Sequence, residues 1–199
     1  MVYLFVDNFR GFSKTLIPLK DVNFFVGENS TGKSSILSLI YLFNKWSFWY
    51  DQDFDTEDVS LGCFEDMVSR NSSNKKYFSI GFIYPKANPN NEHILGFLMT
   101  FKQREGMACP ARYTISLGSR YITIRFDPKR TLYKFWEATE NLANAKSVEN
   151  IFLNWSRINN LQNASGYHSL RRIKYRGSTN RLHMIPRILA EQNIITEEE

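Results

Sequence analysis

The sequence predicts an α/β domain with an antiparallel β-rich middle and a helical C-terminal part, on three observations. A short apolar run, residues 22–26, leads through a glycine-containing turn at residues 27–34 into a stretch with helical spacing. Segments rich in β-branched and aromatic residues then recur between Tyr77 and Phe135, separated by turn-forming residues. From Leu132 onward, apolar residues fall at roughly helical intervals.

Taken in order, residues 3–9 alternate loosely and are rich in β-formers, Arg10-Gly11 reads as a turn, and residues 15–17 make a second short strand, which together predict a hairpin. Residues 22–26 (VNFFV) are nearly continuously apolar, as in a strand buried on both faces of a central sheet. Residues 33–45 carry Ile36, Leu37, Leu39, Ile40, Leu42 and Phe43, the pattern of a helix buried over much of its circumference. Residues 47–62 are polar and acidic without a sustained period and read as a connecting excursion. Residues 77–84, 94–101, 113–117 and 121–126 predict an antiparallel sheet, with turns at 85–91 and 117–119. Phe135, Ala138, Leu142, Val148, Ile151, Phe152 and Trp155 then predict helix. The expected division is an N-terminal lobe over residues 1–135 and a basic helical segment over 136–199 that continues into a longer chain.

With 199 residues the chain can bury a core without disulfides, and 43% hydrophobic with 23% charged residues excludes disorder as the default. Cys63 and Cys109 form no CxxC pair, which excludes a disulfide framework or a zinc ribbon and suits a reducing cytoplasm. The N-terminus lacks a basic leader region, and its apolar run is broken by Asp7 and Arg10; the longest apolar run, 94–101, is too short to span a bilayer. A soluble cytoplasmic protein with no membrane partner is expected.

Charge is distributed unevenly. Asp51, Asp53, Asp55, Glu57, Asp58, Glu65 and Asp66 form an acidic patch, whereas residues 150–190 hold no Asp or Glu but contain Arg157, Arg171, Arg172, Lys174, Arg176, Arg181 and Arg187. The tight cluster Arg171, Arg172, Lys174 and Arg176 is a candidate contact to a nucleic-acid backbone; a solvated face is the equal alternative.

The segment Gly27-Glu28-Asn29-Ser30-Thr31-Gly32-Lys33-Ser34 fits GxxxxGK[ST]. Gly27 and Gly32 permit backbone conformations that let successive NH groups face one anion, and the helix opening at Lys33 adds its own unpaired NH groups and positive dipole end. Lys33 supplies a mobile cation for the β and γ phosphates of a nucleotide, the Ser34 hydroxyl is placed to ligate Mg²⁺, and Ser35 can reach the α-phosphate. An apolar run before the motif and an amphipathic stretch after it distinguish this from a chance match.

The residues NFRGF (8–12), NFFVGENSTGKSSIL (23–37) and FEDMV (64–68), ahead of a β-rich stretch, resemble the N-terminal half of ABC-type ATPase heads. The group is that of SMC proteins, RecF-like repair ATPases, OLD nucleases and Septu-type or retron-associated defence ATPases, and the likeness is good over residues 1–84 and thin beyond. It implies an α/β P-loop NTPase fold of ABC-ATPase type, ATP and Mg²⁺ as ligands, and a head-to-tail homodimer or larger assembly. It also implies a nucleotide contact from Arg10, and an ATP-gated DNA transaction in anti-phage defence, with DNA and an effector nuclease as candidate partners. A RecF-like repair role, or a nucleotide-sensing scaffold without turnover, are the alternatives.

Such heads also need a run of apolar residues ending in Asp-Glu, so that one carboxylate holds the metal and a second polarises water. The nearest segment, residues 122–127 (ITIRFD), has Arg125 inside it, lacks the second acid and runs into Pro128. A signature-like Ala164-Ser165-Gly166 reads better as a loop, and neither Gln52 nor Gln103 fits a Q-loop clearly. Catalytic residues are therefore not assigned. His93, His168 and His183 match no metal-ligand spacing. Trp46, Phe48, Trp49 and Tyr50 read as packing at a helix end in preference to base stacking.

Overall fold

The computed structural model describes residues 2–84, 94–117, 120–126, 131–137 and 168–170. Eight strands form one sheet: β1 (Val2–Asp7), β2 (Thr15–Leu19), β3 (Phe78–Ile83), β4 (Ile94–Arg104), β5 (Met107–Leu117), β6 (Arg120–Phe126), β7 (Thr131–Glu137) and β8 (His168–Leu170). Their order is β2-β1-β3-β4-β5-β6-β7-β8, with every neighbouring pair antiparallel. Three helices, α1 (Lys33–Asn44), α2 (Trp46–Asp51) and α3 (Phe64–Met67), complete the described elements. The chain divides into two compact units, Met1–Lys33 with Gly62–Arg172, and Ser34–Leu61 with Ile173–Glu199.

The sheet lies in the first unit. Strand pleating puts alternate residues on one face, and the register aligns Leu4 with Phe82, Val6 with Ile80, Phe78 with Phe101, Met99 with Tyr113, and Ile115 with Ile122. Most of these side chains are almost completely buried. Opposite Phe78 lies Phe101, with ring centroids 5.1 Å apart, while Phe9 and Phe64 close on the same ring at 5.5 and 5.6 Å. Small hydroxyl residues meet across neighbouring strands on the other face: Ser79 and Thr100 at 3.0 Å, and Thr114 and Thr123 at 3.3 Å. These pairs satisfy polar groups that burial would otherwise penalise. The β4–β5 turn takes positive φ at both Glu105 and Gly106, as a two-residue hairpin loop of the right twist requires.

In the second unit, α1 buries Ser35, Ile36, Leu39, Leu42 and Phe43, a single stripe narrower than the apolar sequence implies, since Leu37 is exposed. Helix α2 was not predicted from its short aperiodic sequence. Its Phe48 meets Phe43 at 5.0 Å and Phe54 at 5.2 Å, and Trp49 meets Phe43 at 5.7 Å, so Phe48 and Trp49 pack as expected, while the side chains of Trp46 and Tyr50 lie outside those described. Tyr41 donates to Asp58 at 2.5 Å, and Lys45 pairs with the same carboxylate at 3.4 Å, tying the acidic excursion to α1.

Two sequence expectations are corrected. Residues 22–26 are not a buried strand: they have no strand pairing, and Val22, Phe24 and Val26 are 69%, 87% and 90% exposed. An apolar run can become a strand only where another strand lies alongside, and none does among the described residues. Residues 132–137 are not helical but belong to β7, where pairing with β6 satisfies their backbone groups. The remaining helical expectations for the C-terminal part, and the turn at 85–91, lie outside the described residues.

Candidate functional site

The β1–β2 connection and the Gly27–Lys33 loop belong to the same unit and meet at one point. Asn8, Arg10 and Lys14 all adopt left-handed φ, at 56°, 49° and 45°, an unusual density for residues with side chains. The turn is nevertheless held on every side. Phe9 N–H donates to Phe12 O at 3.1 Å and Phe12 N–H to Phe9 O at 2.8 Å; Arg10 N–H donates to Met67 O at 2.7 Å, and Ser69 N–H to Asn8 O at 2.9 Å. The Asn8 side-chain amide donates to Asn74 O at 2.6 Å and also to Tyr77 O, and Lys14 N–H donates to the Asp7 carboxylate at 3.0 Å.

Across from this turn, Gly32 has φ of 92° and lies against the Phe12 ring: a Cβ at Gly32 would stand 2.6 Å from Phe12 Cε2 and Cζ. Gly27 has φ of 151° and Ser30 is left-handed at 66°. Left-handed backbone at Ser30 and Gly32, two residues apart, is the kind from which amide nests are built. Gly27, Glu28, Asn29, Ser30 and Thr31 are all exposed to solvent, so an anion has free approach.

Within the loop the Lys33 ammonium donates to Gly27 O at 2.8 Å and to Glu28 O, with Thr31 Oγ1 at 3.4 Å; Thr31 Oγ1 in turn donates to Glu28 O at 2.9 Å. The cation is thus folded over the loop, held by neutral carbonyls without a carboxylate partner among them. Lys33 also opens α1, whose first turn carries no acidic side chain to neutralise its positive end. Ser34 follows as the exposed second residue of that helix and Ser35 as its buried third.

The model of the AAA ATPase domain family matches residues 2–187. The chain belongs to the AAA ATPase domain family. Neither a curated protein nor a solved structure matches it. As an AAA ATPase domain it is a nucleotide-binding P-loop protein, with ATP as the ligand that membership implies.

The other residues singled out in this AAA ATPase domain fare differently. Arg10 stands with its guanidinium carbon 5.9 Å from the Phe9 ring centroid; burial pulls its pKa below the ordinary value and the charge of Asp66 opposes that. Gln52 is buried and its amide donates to Trp49 O at 2.8 Å, while Gln103 donates to Glu65 at 3.2 Å. Residues 122–126 lie in β6, between two antiparallel neighbours, with Arg125 exposed; Asp127 lies outside the described residues. So do His93, His183, Ala164-Ser165-Gly166 and the basic cluster Arg171, Arg172, Lys174 and Arg176. Among the described residues no cluster of His, Cys, Asp or Glu could hold a metal ion, and no helix is long and apolar enough to cross a membrane.

Asn8 and Phe12 gave no functional signal in the sequence, although both fall within the NFRGF segment that carries the family resemblance.

Proposed function

We propose that this AAA ATPase domain binds Mg-ATP at Gly27, Glu28, Asn29, Ser30, Thr31, Gly32 and Lys33, and that nucleotide binding gates a DNA transaction in prokaryotic anti-phage defence. The observation that carries the binding site is the Lys33 ammonium resting on Gly27 O at 2.8 Å, at the acid-free start of α1. Neutral carbonyls hold that cation weakly, so a triphosphate can take it over, gaining charge-assisted hydrogen bonds that the loop alone does not offer. The Ser34 hydroxyl is an oxygen donor of the kind Mg²⁺ prefers, and a single protein oxygen suits an ion that keeps most of its waters and binds phosphate oxygens as well. Ser35 is assigned to the α-phosphate and Arg10 to the nucleotide by resemblance.

The DNA and defence assignments rest on the likeness of residues 1–84 to Septu-type, retron-associated and OLD-like heads, and on the acid-free basic stretch with Arg171, Arg172, Lys174 and Arg176. A head-to-tail dimer and an effector nuclease follow from the same likeness.

Anisotropy of a labelled DNA duplex, with and without Mg-ATP, tests the gating. Tighter binding with nucleotide, weakened by charge reversal at Arg171, Arg172 and Lys174, is expected. Identical affinity in both states, insensitive to salt and to those reversals, contradicts it.

A further inference from the structure

We propose that Phe12 is a positioning residue for the phosphate-binding loop, a wedge that holds Gly32 in its left-handed conformation before nucleotide arrives. This rests on the reading of residues 27–34 as the phosphate site. Three observations carry it. The Phe12 ring occupies the space a Gly32 Cβ would need, with ring carbons at 2.6 Å from that point, so ring and loop backbone are in direct contact. The turn presenting Phe12 has its backbone pinned by the paired Phe9–Phe12 hydrogen bonds and by Arg10 N–H to Met67 O. That turn also keeps three non-glycine residues in left-handed backbone, a conformation that persists only where surroundings over-determine it. In contrast, the loop itself is exposed from Gly27 to Thr31, and among its own side chains only Thr31 and Lys33 brace it.

The consequence is physical. A glycine-containing loop loses much conformational entropy when ordered around an anion, and a rigid ring against Gly32 removes part of that loss in advance. Phe12 touches no phosphate in this account; it raises the fraction of molecules whose loop is ready for one.

The test is Phe12→Ala beside Phe12→Tyr and Phe12→Leu, read by Mg-ATP calorimetry and by amide hydrogen exchange of the nucleotide-free protein. If the competent fraction falls to about a tenth, the apparent affinity of Phe12→Ala weakens about tenfold. Phe12→Tyr keeps the ring and should bind like the parent, with Phe12→Leu between. Exchange of amides 28–33 should quicken in Phe12→Ala while those of β1 and β3 stay protected. Should Phe12→Ala fail to fold, the Leu and Tyr variants give the same ordering. Unchanged exchange at 28–33 overturns the proposal, as does equal weakening in Phe12→Tyr and Phe12→Ala. A parent protein that binds no ATP removes the nucleotide reading instead, and the exchange measurement still decides whether Phe12 orders the loop.

Discussion

The ring of Phe78 stacks on that of Phe101 with 19° between their planes, directly across the β3–β4 pairing. Phe78 is fully buried and is also flanked by Phe9, next to the Asn8–Lys14 turn, and by Phe64 in α3. Removing it empties the centre of this cluster, so Phe78→Ala should cost about 3–5 kcal/mol in urea denaturation, by lost transfer energy and an unfilled cavity. A cost below about 1 kcal/mol would mean the site collapses freely and is no anchor.

Asn8 joins two properties in one residue: a left-handed backbone and a buried side-chain amide that donates to Asn74 O and Tyr77 O. Asn8→Ala removes both donations, leaving Asn74 O with the Ser72 hydroxyl at 3.2 Å, and places a Cβ residue of no local polarity in left-handed backbone, so a loss of about 2–4 kcal/mol is expected. Asn8→Gly loses the same hydrogen bonds without the backbone penalty and should be about 1 kcal/mol milder. Equal costs for the two variants would show that the backbone conformation is not strained.

Asp66 accepts from the Cys63 thiol and from Cys63 N–H, both at 3.2 Å, closing a capping box on α3. The thiol hydrogen bond first, then the backbone one, with Arg70 and Arg10 nearby, hold its pKa below the ordinary 3.8. A depressed folded pKa means the contribution is present above the unfolded value and fades as pH falls through the folded one. Parent and Asp66→Asn should therefore differ in Tm at neutral pH and converge below pH 3.8. A gap that stays constant through this range would contradict the assignment.

How much of this was legible in sequence follows from how local each signal is. Helix α1 and the β1–β2 hairpin were visible because their spacing and turn residues lie within one short segment. Strands β3 to β6 were visible because alternation along each repeats the pleat. Residues 22–26 misled because apolar character states a preference for burial and not the presence of a neighbouring strand. Residues 132–137 misled because Leu132 and Phe135 fit a helical interval as well as a strand, and pairing with β6 decided between them. Membership of the family was legible from the spacing of Gly27, Gly32, Lys33 and Ser34. The loop's contact with Phe12 was not, because nothing in either segment encodes the other.

The Lys33 ammonium rests on Gly27 O at 2.8 Å, and in the proposed site it is the group on which nucleotide binding depends most directly. Calorimetric titration of the parent and of Lys33→Ala with Mg-ATP reads its contribution. The account predicts saturable one-site binding by the parent and a loss of about 3 kcal/mol, roughly a hundredfold, in the variant, the weight of hydrogen bonds between charged groups. Equal affinity in the two proteins would contradict it.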